Sequence, residues 1–165
     1  MDPNSTYLAR LVVICITLIF SANVLNAQVT KSKNKWKKIQ PSEYFSLLIP
    51  VNLEQKPSIN EDSAIWVYGN ENLIFIIDFG IYSSKSDIDK DEVNYKERVL
   101  KIDGRRAVMI SFKTTKSRFK TLSNISEIYF TTPINVDAKL KISAFCKTTK
   151  EQKIAETIFR SIKIK

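Results

Sequence analysis

The stretch LIFIIDFGIY, residues 73–82, decides the fold. Successive side chains of a β-strand point to opposite faces, so this stretch has two faces. One face holds Leu73, Phe75, Ile77, Phe79 and Ile81, and the other holds Ile74, Ile76, Asp78, Gly80 and Tyr82. Both faces begin apolar, whereas a strand with one solvated face alternates apolar and polar residues. We therefore predict a central β-strand, covered by a helix on one face and by other parts of the chain on the second.

Two hairpins are predicted around this strand. Residues 64–68 precede it across the turn sequence GNEN, residues 69–72, in which Gly and Asn tolerate a positive φ. Farther along, Asp103-Gly104 lies between two apolar runs and is typical of a two-residue type I′ turn. Further strands are predicted at residues 44–49, 98–102, 105–112, 127–131 and 139–147. The polar segment between the hairpins predicts a loop with one helical turn near residues 92–95.

The C-terminal segment predicts an amphipathic helix. Thr148 is followed three residues later by Glu151, which is the spacing of a capping box. An apolar stripe then follows at helical spacing, made of Ile154, Ala155, Ile158, Phe159 and Ile162. Together with the hairpins, this helix predicts an α+β fold, in which a single, mostly antiparallel sheet built from hairpins packs against a C-terminal amphipathic helix.

The chain resembles the PsbP-like α-β-α sandwich family. The residues that carry the resemblance are the strand at 45–50 that ends in Pro50, the Phe79-Gly80 exit of the central strand, the Asp103-Gly104-Arg105 hairpin, and the ending AETIFRSI at 155–162. The resemblance implies a small exported or lumenal accessory protein. It implies no catalytic centre and assigns no functional residue, because that family has no shared active site.

The N-terminal residues predict export. A short polar stretch that ends at Arg10 precedes the apolar run LVVICITLIF, residues 11–20, and a small, polar tail ends at Ala27. This is the layout of a secretory signal peptide, residues 1–27, with cleavage after Ala27 and a periplasmic or extracellular destination. An uncleaved signal anchor is the alternative, although Ser21 and Asn23 interrupt the apolar run. Residues 28–35 are then expected to form a flexible basic arm before a single domain at residues 36–165.

The basic charge predicts an anionic partner. The net charge is +9, and five lysines fall within eight positions directly after the predicted cleavage site. We interpret seven lysines as candidates for contact with an anionic surface: Lys31, Lys33, Lys35, Lys37, Lys38, Lys139 and Lys141. Lys139 and Lys141 belong to this set because the face of residues 139–147 that carries them is predicted to be mostly solvated. Anionic lipid, acidic polysaccharide and acidic protein all fit this charge, whereas export argues against nucleic acid.

The sequence carries no catalytic or cofactor signature. It contains no His, which excludes Ser-His-Asp and Cys-His nucleophilic sites within this chain. Its glycines, at 69, 80 and 104, are too few and too scattered for a phosphate-binding loop. Asp87, Asp89 and Asp91 have the spacing that begins a calcium-binding loop, but Glu92 replaces the required Gly. A solvated loop is the preferred interpretation, and no metal site is predicted.

Asp78 is the one candidate for a polar pocket. A carboxylate on a covered strand needs a partner, and Arg105 or Arg106 could supply it, either in a pocket or in a structural ion pair. Cys146, the one cysteine left after cleavage, shares a face with Ile142 and Ala144 and is expected to be a buried, inert thiol. Two functions follow as hypotheses: an exported, non-catalytic binding or accessory module, or a small secreted enzyme with a pocket around Asp78.

Overall fold

The computed structural model describes residues 35–58 and 63–165, and the account below concerns the compact unit Trp36–Lys165. Strands make up 54% of the described residues and helix makes up 9%. The strands are β1 (Trp36–Ser42), β2 (Phe45–Pro50), β3 (Glu54–Lys56), β4 (Ala64–Gly69), β5 (Leu73–Gly80), β6 (Val93–Ile102), β7 (Arg105–Lys113), β8 (Asn124–Phe130), β9 (Lys139–Cys146) and β10 (Lys163–Ile164). The helix α1 spans Thr149–Arg160.

The prediction of an α+β fold is wrong, because the described unit is nearly all-β, with two sheets and a single helix. Two local differences explain the error. Residues 93–95 extend β6 as a strand, where a helical turn was predicted. A second sheet also forms from β1, β2 and β10. Its strand β1 carries mostly polar residues and β10 has only two residues, so both gave little strand signal. The helix lies where the sequence predicts it, with both hydrogen bonds of the capping box formed between Thr148 and Glu151.

The larger sheet is antiparallel and has the strand order β3-β4-β5-β9-β8-β7-β6. The strand β5 is interior, since it pairs with β4 on one side and with β9 on the other. The Asp103-Gly104 hairpin is confirmed: these residues have φ values of 47° and 82° and join β6 directly to β7. Asp103 also accepts hydrogen bonds from Lys163 Nζ (3.0 Å) and from the Ile164 backbone (2.8 Å), which ties this hairpin to the smaller sheet.

The prediction that β5 is covered on both faces is confirmed. On one face, α1 and the smaller sheet enclose the main core; Phe159 stacks on Phe75 at 6.2 Å between ring centroids, and Phe45 is fully buried. On the other face, the connections after β5 and after β7 cover a second cluster, in which Leu122 and Phe145 are buried. The larger sheet is therefore the middle layer, and its loop-covered face contains most of the buried polar residues.

The two edges of the larger sheet differ. At one edge β3 contributes only three residues, all exposed. At the other edge β6 contributes ten residues, with a register shift between Val93 and Lys96 and a positive φ of 59° at Asn94. Since β6 ends the sheet, one side of its backbone faces away from any partner strand in the described unit.

Candidate functional site

Asp78 forms an ion pair with a residue that the sequence did not suggest. Its register partner on β9 is Lys141, and Lys141 Nζ lies 3.5 Å from Asp78 Oδ2. The Ser83 hydroxyl donates to the other carboxylate oxygen. The side chains of Asp78 and Lys141 are 20% and 22% exposed. Both carboxylate oxygens of Asp78 therefore have a partner, as expected for a carboxylate on a strand that is covered on both faces.

Arg105 and Arg106 are not brought to Asp78. Arg105 Nη1 donates to the Pro133 carbonyl at 2.9 Å, and Arg106 is exposed opposite Lys101. The reason is topological, because β8 and β9 separate β7 from β5 in the sheet. The structure thus supports the ion-pair interpretation of Asp78 with a different partner, and it does not assemble the pocket of Asp78, Arg105 and Arg106.

A buried glutamate beside this ion pair was missed by the sequence analysis. Glu127 is 4% exposed, and it accepts hydrogen bonds from the Ser86 backbone (3.1 Å), the Ser86 hydroxyl (2.6 Å) and the Ser143 hydroxyl (3.0 Å). It lines a cleft of about 270 Å³ together with Arg118 and Lys141, whereas Asp78 is not among the lining residues. Three donors hold this carboxylate in place, so its evident role is to fix the connection after β5 onto the sheet. The signal available in the sequence was an acidic residue within the apolar run ISEIYF, residues 125–130.

The face of β9 that was predicted to be solvated is covered. Arg118 reaches across from the connection after β7, and its guanidinium carbon lies 4.8 Å from the centre of the Phe145 ring and 5.2 Å from that of Phe119. Phe145 is only 8% exposed as a result. Because Lys141 is paired with Asp78 under this cover, it is not a freely solvated lysine, and the prediction that it contacts an anionic surface loses its structural basis.

The remaining candidate lysines differ in their surroundings. Lys37 is partly buried, and its Nζ donates to the Leu53 carbonyl at 2.8 Å, so it serves the fold. Lys38 is exposed on β1, and Lys35 is exposed directly before that strand in the chain. Lys139 is half-buried and forms no ion pair with a described residue. Lys31, Lys33, most of the predicted arm and the predicted signal peptide lie outside the described residues.

An exposed apolar patch lies on the outer side of the smaller sheet. Trp36 is 37% exposed and pairs with Pro50, Leu48 is 42% exposed and pairs with Lys38, and Val51 follows Pro50 with 49% exposure. The opposite side of β2 carries Leu47 and Ile49, which are buried in the main core. We call Trp36 and Leu48, together with the exposed Val51 in the turn after β2, the tryptophan patch. Lys38 lies across from Leu48, so this patch combines apolar side chains with a positive charge.

A polar groove lies between α1 and the strands β6, β7 and β8. Two adjoining cavities of about 460 Å³ and 290 Å³ share the lining residues Lys96, Ser111, Thr149 and Gln152. Gln152 Nε2 donates to the Ile125 carbonyl at 3.1 Å and so fixes the helix against β8. At the far end of the larger cavity, Glu156 pairs with Arg98 at 2.9 Å and with Arg160 at 2.8 Å.

The other candidates from the sequence are three exposed carboxylates and a buried thiol. Asp87, Asp89 and Asp91 are exposed, and no cluster of described acidic, His or Cys residues could hold a metal ion. Cys146 is buried as predicted, and burial, with a smaller contribution from Glu151, raises the pKa of its thiol to about 12. A thiol with this pKa stays protonated at neutral pH and is a poor nucleophile.

Comparison with known proteins gives no family model that matches the chain and no curated protein similar to it. The resemblance to the PsbP-like family therefore stays a prediction. Among the described helices, none is long and apolar enough to cross a membrane.

Proposed function

We propose that this protein is an exported, non-catalytic binding module that docks on an anionic membrane surface through the tryptophan patch and the basic residues before it. The observation that carries the proposal is the position of Trp36. It is a partly exposed indole at the start of the folded unit, and Lys31, Lys33 and Lys35 directly precede it in the sequence.

This combination of residues suits a membrane interface. Tryptophan is enriched at the level of lipid headgroups, because its ring is amphipathic. Leu48 and Val51 add exposed aliphatic surface beside it, and burial of such surface stabilises binding in proportion to its area. Near an anionic leaflet each lysine adds roughly 1 kcal/mol, and this contribution decays within a Debye length. Because Lys38 is the register partner of Leu48, apolar and electrostatic contributions act on the same side of the smaller sheet.

The tryptophan patch also favours lipid over the other anionic partners. An acidic polysaccharide or a highly acidic protein is attracted mainly by charge and offers less apolar surface to Trp36 and Leu48 than the interface of a bilayer does. Lysines act as point charges without the planar fork of arginine, so charge alone gives weak and salt-sensitive binding. A lipid surface takes up both kinds of side chain and retains part of the binding at high salt through the apolar contact.

The test is co-sedimentation of residues 28–165 with anionic and zwitterionic vesicles over a salt series. We expect preference for the anionic vesicles, reduced binding in a variant that lacks residues 28–35, and reduced binding in Trp36→Ala. Tyr82→Ala is the matched control, because Tyr82 is an aromatic residue that is 71% exposed outside the patch. Equal sedimentation with both vesicle types, or equal effects of Trp36→Ala and Tyr82→Ala, would exclude docking through this patch.

Tryptophan fluorescence gives an independent measurement. The chain contains two tryptophans, and Trp66 packs in the main core against Phe45 at 6.3 Å between ring centroids. In a Trp66→Phe variant the emission comes from Trp36 alone, and we expect it to shift to shorter wavelength when anionic vesicles are added. An unchanged spectrum in the presence of vesicles that sediment the protein would place Trp36 outside the contact. Binding to heparin or to polyglutamate without a spectral shift would identify a charge-only partner instead.

A further inference from the structure

The groove beside α1 contains a row of polar residues on the face of the larger sheet that otherwise carries the apolar main core. Lys96, Ser111 and Ser126 are register partners on the consecutive strands β6, β7 and β8, and all three line the larger cavity. The next row on the same face of the sheet, two residues away on each strand, contains the buried Met109 on β7 and the buried Ile128 on β8. The sheet face therefore changes from apolar to polar at this row, which we call the serine row.

The hydroxyl of Ser126 is accessible from the groove. Ser126 is only 2% exposed, and its side chain makes no hydrogen bond with a residue that the structure describes. No fully enclosed side-chain nitrogen or oxygen among the described residues lacks a partner, so the small exposed area of Ser126 includes its hydroxyl oxygen. Because Ser126 lines the larger cavity, this hydroxyl can bond to a molecule that enters the groove.

The charges around the serine row are positive and uncompensated. Lys96 lines both cavities, Lys153 lines the larger one and Lys113 lines the smaller one. None of these lysines forms an ion pair within the described part of the chain. The acidic residue that lines the groove, Glu156, is already paired with Arg98 and Arg160.

The N-terminus of α1 does not supply the donors of this site. Thr148 and Glu151 already cap the N-terminus of α1 through reciprocal hydrogen bonds, and the Lys150 N–H donates to the Thr148 hydroxyl. The donors that carry the site are instead side chains: the hydroxyls of the serine row and the ammonium groups of the lysines. They come from three strands and the helix, and they therefore approach the groove from several directions.

We propose that this groove binds a tetrahedral oxyanion, namely the phosphate or sulfate group of a small ligand, with Ser126 and Lys96 as its principal contacts. A tetrahedral oxyanion presents several oxygens to donors in different directions, whereas the acceptor sites of a carboxylate lie in one plane. The larger cavity, at about 460 Å³, has the size of a site for a small molecule rather than for a bare ion. The site is separate from the tryptophan patch and does not depend on membrane docking.

The experiment is a titration of the exported protein, followed by amide NMR, with four probes: inorganic phosphate, sulfate, glycerol phosphate and methyl sulfate. Ionic strength is held constant with sodium chloride. We expect saturable shifts in the amides of residues 94–98, 111–113, 124–126 and 149–153. Tighter binding of glycerol phosphate than of methyl sulfate would assign a phosphate ester, and the reverse order would assign a sulfate ester. Shifts that follow ionic strength alone, without saturation, would overturn the proposal.

Two variants and a matched control test the contacts. We expect Lys96→Gln and Ser126→Ala each to weaken binding by about tenfold, as for a lost hydrogen bond to a charged group. Lys120→Gln, at an exposed lysine outside the groove, is expected to leave the affinity unchanged. Ser126→Ala should also keep or raise the thermal midpoint, because its hydroxyl has no protein partner. A lowered midpoint in Ser126→Ala would assign the hydroxyl a structural role, and equal loss of affinity in Lys96→Gln and Lys120→Gln would reduce the effect to general charge. Either result refutes the site.

Discussion

Replacement of Ile158 tests how the helix is held on the larger sheet. Ile158 is fully buried in the main core, on the same face of α1 as Ala155 and Phe159. Truncation of a buried isoleucine to alanine costs ~2–5 kcal/mol, because apolar contacts are lost and a cavity is left behind. The higher helix propensity of alanine offsets less than about 0.7 kcal/mol of this loss. A domain has a total free energy of unfolding of only ~5–15 kcal/mol, so Ile158→Ala should be strongly destabilising.

The assay is urea unfolding of Ile158→Ala, followed by the fluorescence of the core residue Trp66 in a background that carries Trp36→Phe. Thr157→Ala is the matched control, because Thr157 is an exposed neighbour on the same helix whose hydroxyl donates only to the Lys153 carbonyl. We expect its midpoint to change little, and we expect Ile158→Asp to prevent folding, because it adds an unpaired charge to the cavity. Equal midpoints for Ile158→Ala and Thr157→Ala would refute the packing described for α1.

Three further predictions concern single contacts. Cys146 should react with iodoacetamide at pH 8 only after unfolding, because burial raises the pKa of its thiol to about 12 in the folded state. Above about pH 9 the thiol therefore loses its proton in the unfolded state alone, so stability should fall as pH rises, and the fall should be smaller in Cys146→Ala. Thr148→Ala should lower the free energy of unfolding by about 1 kcal/mol through loss of the capping box, while Lys147→Ala should not. Glu127→Gln should speed hydrogen exchange in residues 83–92, because it weakens the contacts with Ser86; unchanged exchange there would contradict the anchoring role of Glu127.

The parts of the fold that could be predicted from the sequence depend on local interactions. The turn at Asp103-Gly104 requires a positive φ that these two residues supply, and the start of α1 is set by Thr148 and Glu151, three positions apart. The smaller sheet depends instead on the pairing of Lys163 with Ser46, which are far apart in the chain. A two-residue strand such as β10 has no periodic pattern of its own, so its existence follows only from the packed structure.

The site was predictable to the same limited degree. The position of Asp78 in an apolar strand showed that it needs a partner, but the choice of Lys141 depends on β9 lying between β5 and β8. Lys96, Ser111 and Ser126 carry no motif, because the chain separates them by loops and turns. They become neighbours only when β6, β7 and β8 pair in register.

The unpaired edge of β6 bears on whether copies of this protein can join through their sheets. An exposed ten-residue strand is a template for another chain, and such edges promote aggregation unless they are protected. Here the edge alternates in charge through Lys96, Glu97 and Arg98, and the irregular register near Asn94 bends it away from an ideal ladder. At the opposite edge, β3 is too short to support a growing sheet. Both ends of the sheet thus oppose fibril formation, and Lys96 contributes to this protection whether or not a ligand occupies the groove beside it.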